Sequence, residues 1–378
     1  MKLLPLVPFA FAVLSALAVF PSRAEAADAK FLVYVGTYTD KGSKGIYVYR
    51  LDAVTGELTP LGLATESASP SFLALAPDNR FLYAVNEGAA KLSAFSIDAH
   101  SGKLTLLNQQ KSGGAGPCHL SVDHTGKVVV AANYDGGSAE AVAILDDGKL
   151  GEPTAFFLHK GSGVNKERQE AAHAHCATID AANKFAFVCD LGLDKVFVYK
   201  LDAAGKLTPN DPPFATVKPG SGPRHIAFHP NGKFAYVINE MGSSVVAFHY
   251  DAEHGALDEF QSVSTLPGNF TGESTCAEVA VHPSGKFLYG SNRGHDSIAV
   301  FSIDESTGRL TPVEHVSTKG KTPRDFAIDP TGAFLFAANQ DTDSIVTFRI
   351  DQKTGHLTPM EQSVSVSMPV CIVFVPVK

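Results

Sequence analysis

One unit recurs every 47 to 56 residues along this chain. It opens with a short apolar segment, passes a tight turn of the type Pro-x-Gly-Lys, and continues as an alternating strand ending in Asn. A third strand ending in Asp and a closing x-Gly-x-Leu-Thr complete it. One copy reads PSFLALAPDNRFLYAVNE from Pro70, then KLSAFSID, then SGKLTLL; others begin at Pro117, His173, Pro223, Cys276 and Pro323. Each holds about four strands of four to seven residues divided by turn signals, the make-up of one propeller blade. No useful helix-period segment follows the N-terminal stretch. Trp is absent, so the Trp-Asp pair of WD40 blades is too.

The two ends complete the count. FLVYVGTY, GIYVYRLD and GELTPLGLAT, from Phe31 onward, form a unit that lacks its first strand, whereas MPVCIVFVPV from Met368 is a first strand with nothing after it. An open array would leave bare strand edges at both ends, and the polar caps of an open solenoid are missing. The pattern therefore predicts an all-β, seven-bladed β-propeller with four-stranded blades. Its ring is closed by pairing the C-terminal strand with the N-terminal three. Because the closing blade needs both ends, residues 27–378 are read as one domain.

The first 26 residues read as a secretory signal peptide: a basic Met1-Lys2 start, an apolar stretch from Leu3 to Phe20, and a small-x-small site at Ala24-Glu25-Ala26. Pro5 and Pro8 argue against an anchor helix, and no later segment is apolar enough to span a bilayer. The mature chain is therefore expected outside the cytoplasm, secreted or periplasmic, with no membrane attachment. A net charge of -8 offers no basic face for nucleic acid. The five cysteines (Cys118, Cys176, Cys189, Cys276 and Cys371) show no metal-ligand spacing. A register pairing Arg224 with Asn239 would set Cys176 opposite Cys189, where a disulfide is one outcome.

Blade geometry turns sequence columns into places. The start of each first strand and the end of each second strand lie side by side at one mouth of the channel. The start column holds Ser71, Cys118, His175, Arg224, Ala277 and Arg324; the next holds Phe72, His119, Cys176, His225, Glu278 and Asp325. The end column is Asn86, Asn133, Asp190, Asn239, Asn292 and Asn339, followed by Glu87, Tyr134, Leu191, Glu240, Arg293 and Gln340. An Asn repeated in every blade suggests backbone hydrogen bonding rather than catalysis, and the Asp of the third strand suggests turn chemistry. Residues peculiar to one blade are better site candidates: His175, Arg224, Glu240, Arg293 and Arg324. Arg224 and Glu240 could alternatively be a structural pair within one hairpin. The insertion HKGSGVNKERQEAAHAH, ending at His175, reaches the same mouth, as binding loops on rigid scaffolds do.

Several segments carry a resemblance: YVGTYT at 34–39, GSGVNKERQEAAHAH at 161–175, DLGLDKVFVYKLD at 190–202, GPRHIAFHPNGKFAYVINE at 222–240 and TPRDFAIDP at 322–330. In these the chain resembles the seven-bladed lactonase propellers, which include bacterial 6-phosphogluconolactonases. The family also resembles fungal carboxymuconate-lactonising enzymes, whose His, Arg and Glu would match His175, Arg224 and Glu240.

The resemblance implies hydrolysis of a small-molecule sugar lactone. That chemistry needs a general base, for which His175 and Glu240 are candidates, and a donor to the oxyanion, which suits Arg224. Groups to hold the sugar or a phosphate would be His119, Arg168, His173, Arg293 and Arg324. There is no Gly-x-Ser-x-Gly elbow for a serine route, and the scheme calls for no cofactor and no metal. Export fits an unphosphorylated aldonolactone, or a family name that records ancestry more than substrate. Two other readings share the same mouth: an exported carbohydrate- or protein-binding propeller without catalysis, and a muconate-lactonising cycloisomerase.

Overall fold

The computed structural model describes residues 30–377; the signal-peptide reading of residues 1–26 falls outside them. Seven four-stranded antiparallel sheets form the ring. The closing blade is built as expected. Pro369–Val377 lies innermost and pairs with Lys30–Thr37, with Val35 opposite Ile372, and Gly45–Asp52 and Glu57–Glu66 follow outward. Seven apolar clusters fill the ring, one at each contact between neighbouring blades. The cluster joining the last full blade to the closing one packs Phe334 and Phe336 against Val33 and Val35. Among the described residues no helix is long and apolar enough to cross a membrane.

Position within the blade explains the strand sequences. Second strands are sandwiched between blades, so both faces need apolar side chains. Every residue of Val128–Asn133 and of Phe334–Asn339 is buried. Outer strands face water on one side, and Leu357–Ser365 accordingly alternates exposed with partly buried residues. Outer strands also carry Pro60, Pro153, Pro209, Pro312 and Pro359. Proline lacks the N–H that would recruit a further strand, which blunts an exposed edge.

The repeated turn residues hold blade to blade. Tyr83, Tyr236 and Tyr289 each donate a hydroxyl hydrogen bond of 2.9 Å to Gly148, Gly308 and Gly355 of the following blade. Those glycines sit at φ +83, +71 and +76, and a Cβ on any of them would overlap the ring of Phe81, Phe234 or Phe287. Glycine is needed there both for the left-handed backbone and for the close approach. The third-strand Asp residues cap their own turns: Asp52 Oδ1 accepts from Val54 N at 2.8 Å and Thr55 N at 3.0 Å, and Asp351 repeats the pattern.

The inner strands depart from a regular ladder in a way that matters for the mouth. Pro223 pairs with Asn239 and His225 with Ile238, which leaves Arg224 as the extra residue of a β-bulge. Cys118, His175 and Arg324 occupy the same bulge in their blades. The expected pairing of Arg224 with Asn239 is thus shifted by one residue, because a bulge sets two residues against one. Beyond the bulge the register recovers and Cys176 does face Cys189. Both are buried free thiols, as are the other three cysteines.

Candidate functional site

The four bulges aim Cys118, His175, Arg224 and Arg324 at one end of the channel. There they line a narrow cavity together with Tyr38, Ser71 and Phe72 from the first blades and His225 and Glu278 below. The cavity, counted with its open mouth, amounts to ≈ 250 Å³ of empty space. It leaves room for about one water molecule between these side chains.

Beside the cavity lies a charge hub. The Glu240 carboxylate is approached by Arg168 Nη2 at 2.7 Å, Arg293 Nη2 at 2.9 Å and Arg224 Nε at 3.2 Å. The Arg224 contact is an ion pair without hydrogen-bond alignment, since its buried Nε makes no hydrogen bond. Burial alone would raise the Glu240 carboxyl, but Arg293, Arg224 and Arg168 overcome it and hold the group at about 2. Glu240 is therefore an anion at any working pH and a poor proton acceptor. The Arg224–Glu240 pair that stood as the alternative to a site role is present, enlarged to three arginines on one carboxylate.

His175 is buried, and its Nδ1 has no hydrogen-bond partner. Burial, then the nearby Arg224, push its pKa well below the ordinary value, so its ring is neutral near pH 7. Arg324 lies over the Tyr38 ring, 5.4 Å from its centroid. It makes no ion pair or hydrogen bond among the described residues, unlike the three arginines at Glu240. An unpaired guanidinium beside a cavity is a place for an anion.

The other sequence candidates take different stations. Arg168 projects from the insertion and also donates to Tyr134 Oη at 3.2 Å. His173 is committed to that loop: its ring stacks on Tyr134 with centroids 4.5 Å apart, and its nitrogens meet Tyr134 O at 3.0 Å and Glu170 at 3.1 Å. His119 is turned down the channel, stacked on Phe72 at 3.9 Å, with Nδ1 accepting from Ala177 N. Arg293 donates to Cys276 O at 2.8 Å as well as meeting Glu240.

Below the mouth lies a second buried layer, whose members the column reading placed without singling them out. Arg224 Nη1 donates to Ala277 O at 2.8 Å and lies 3.2 Å from His225 Nε2. Arginine only donates, so Nε2 accepts and the His225 proton sits on Nδ1, which donates to Glu278 Oε2 at 2.7 Å. Burial raises Glu278 to about 7, and burial together with Glu278 raises Asp325 well above the ordinary range. On the opposite wall, Tyr38 and Ser71 donate to Glu87 Oε2 at 2.9 and 2.6 Å. Their signal was the adjacent column and the YVGTYT segment, but nothing in the spacing tied them to each other.

Known proteins share this architecture and sequence. The family model described as lactonase, 7-bladed beta-propeller, matches residues 32–374. A 6-phosphogluconolactonase of Bacillus subtilis is 42% identical over 299 residues, covering 79% of this chain and 84% of that protein. A 6-phosphogluconolactonase of Formosa agariphila is 38% identical over 304 residues, covering 78% and 85%. The solved structure of a periplasmic gluconolactonase from Pseudomonas aeruginosa is 33% identical with a TM-score of 0.87, covering 92% of this chain and 100% of that one.

Proposed function

This chain belongs to the lactonase family of seven-bladed β-propellers, and on that premise we propose that it hydrolyses a sugar lactone, with an aldonolactone of the gluconolactone type as substrate. One observation carries the mechanism: His175, Arg224 and Arg324 line the same cavity. Water attacks the lactone acyl carbon while His175 takes its proton. The carbonyl oxygen becomes an oxyanion facing Arg224 and Arg324. When the intermediate collapses, the ring C–O bond breaks and His175 returns the proton to the leaving alkoxide. The product is the open hydroxy acid, which gives up its carboxyl proton to solvent and leaves its carboxylate against the arginines. General base catalysis of this kind contributes about 10²–10⁴-fold, and one oxyanion donor about 10²–10³-fold.

The depressed basicity of His175 suits this order of events. The guanidiniums that help depress it are the groups the developing oxyanion would neutralise, so His175 gains basicity as charge builds. Glu240 is assigned to holding Arg168, Arg224 and Arg293 in place, which leaves the base role to His175. Arg168 and Arg293 are assigned to the sugar.

The N-terminal stretch and the likeness to a periplasmic gluconolactonase support an exported enzyme acting on an unphosphorylated lactone. A pH-stat titration of purified protein on glucono-δ-lactone, its 6-phosphate and muconolactone, corrected for spontaneous opening, tests the reading. Turnover of an aldonolactone above background supports it. Turnover of muconolactone alone, or of none, overturns it. Mass measurement of the secreted chain tests processing near Ala27.

A further inference from the structure

One position breaks the repeated end-of-strand column: Asp190 stands where the other five internal repeats carry Asn. The asparagines are donors. Asn86, Asn292 and Asn339 give Nδ2 hydrogen bonds to the carbonyls of Ala68, Thr265 and Thr318. Asp190 can only accept, and it accepts from both ends of the long insertion. Its Oδ2 lies 2.6 Å from His159 Nδ1, at the loop's entry, and its Oδ1 takes the backbone N of His173, at the exit, at 2.9 Å. His159 is buried, packed on the Phe197 ring at 3.9 Å, with Nε2 2.8 Å from Tyr199 Oη. Between these feet the loop carries Arg168, which reaches Glu240 at 2.7 Å.

We propose that Asp190 is the positioning residue of the site: it clasps both feet of the 159–173 loop and thereby sets where Arg168 meets Glu240 and the substrate. Asp190 acts through Arg168 and touches no substrate itself. The span between the feet is exposed at Lys166 and at Glu167, so without the clasp the loop would loosen while the blades stayed folded. The kinetic part of this proposal rests on the lactone-hydrolase reading; the structural part does not.

The test compares Asp190→Asn, His159→Phe, Arg168→Met and the Asp190→Asn/Arg168→Met double variant of the secreted chain. Limited trypsin digestion, with the new termini identified by mass, reads loop order independently of activity. Asp190→Asn and His159→Phe should each accelerate cleavage after Lys166 or Arg168 by about tenfold, the scale of one lost charge-assisted hydrogen bond. On glucono-δ-lactone, Asp190→Asn should raise KM by about the factor seen for Arg168→Met with kcat within about threefold. The double variant should match Arg168→Met within about twofold, because two changes on one chain of contacts do not add. Unchanged cleavage in both clasp variants overturns the proposal, and so do multiplying KM effects. If wild type has no lactonase activity, the digestion alone decides the clasp. Should Asp190→Asn fail to fold, His159→Phe gives the same comparison.

Discussion

Replacing Glu240 by Gln tests the charge hub most directly, because Gln imitates the protonated acid in shape. The Glu240 carboxyl is held at about 2 against an ordinary 4.5. At 1.36 kcal/mol per unit, ionisation in the folded state is worth ~3 kcal/mol. With an unfolding entropy of about 2.1 cal/mol/K per residue over residues 30–377, each kcal/mol moves Tm by about 1.4 °C. Glu240→Gln should therefore melt about 5 °C below wild type at pH 7. The folded pKa is depressed, so the stabilisation is present above 4.5 and is lost as pH falls through about 2. The gap should shrink to about 2 °C at pH 3. Scanning calorimetry of both proteins from pH 7 to pH 3 is the assay. A variant melting within about 1 °C of wild type at pH 7, or a gap that does not narrow in acid, would show that the three arginines are not held by this carboxylate.

Four further outcomes follow. His175→Ala and Arg224→Ala should each lower kcat on the lactone at least about tenfold without loss of the folded spectrum by circular dichroism; unchanged turnover in both removes the assignment. Because the His175 ring is neutral well below its ordinary pKa, kcat/KM should stay level from about pH 8 down past 6.5, with its acid limb lower still. Glu278 titrates at about 7 in the folded state against an ordinary 4.5. A raised acid lends stability that is complete below 4.5 and fades as pH rises through 7. Glu278→Gln should thus melt above wild type at pH 8 and converge with it toward pH 4, as differential scanning fluorimetry would read. Ending the chain at Met368 removes the innermost strand of the closing blade, including buried Val370, Cys371 and Val375; a truncated protein that still melts cooperatively near the wild-type Tm would refute closure by the two ends.

The ring was legible because its cause is local and repeated. A strand buried on both faces must be apolar throughout, a turn at positive φ favours Gly, and a first strand without successors has only one place to pair. The mouth was legible to the level of columns, since strand ends are fixed by the same repeat. The contacts within it were not. Arg224 and Glu240 belong to one hairpin, and their pairing was open as an alternative. Arg168 and Arg293 come to the same carboxylate from a loop and from another blade. That meeting depends on ring tilt and on the side chains the bulges turn inward, and neither is written in residue spacing. His119 shows the same limit: it sits one residue past the bulge, in a column that looked equivalent, and faces down the channel instead.

The bulge also bears on why the chemistry collects where it does. In a regular ladder the start of each inner strand would place alternate residues on the two faces of its blade, against its neighbours. The extra residue breaks that alternation and frees one side chain from packing duty in each blade that carries the bulge. Six of the seven inner strands come from the internal repeats. Four spend the freed position on Cys118, His175, Arg224 and Arg324, and three of those four carry polar heads that line the cavity. Charges there must answer to each other: Glu240 meets three arginines, Glu87 and Glu278 stand on other walls, and Arg324 makes no ion pair among the described residues. The surplus positive charge at the cavity is thus a property of the ring, set by which blades received an arginine, and it favours a reaction whose transition state and product are both more negative than its substrate. Lactone opening by water has that form, whereas binding a neutral sugar would leave the surplus unanswered.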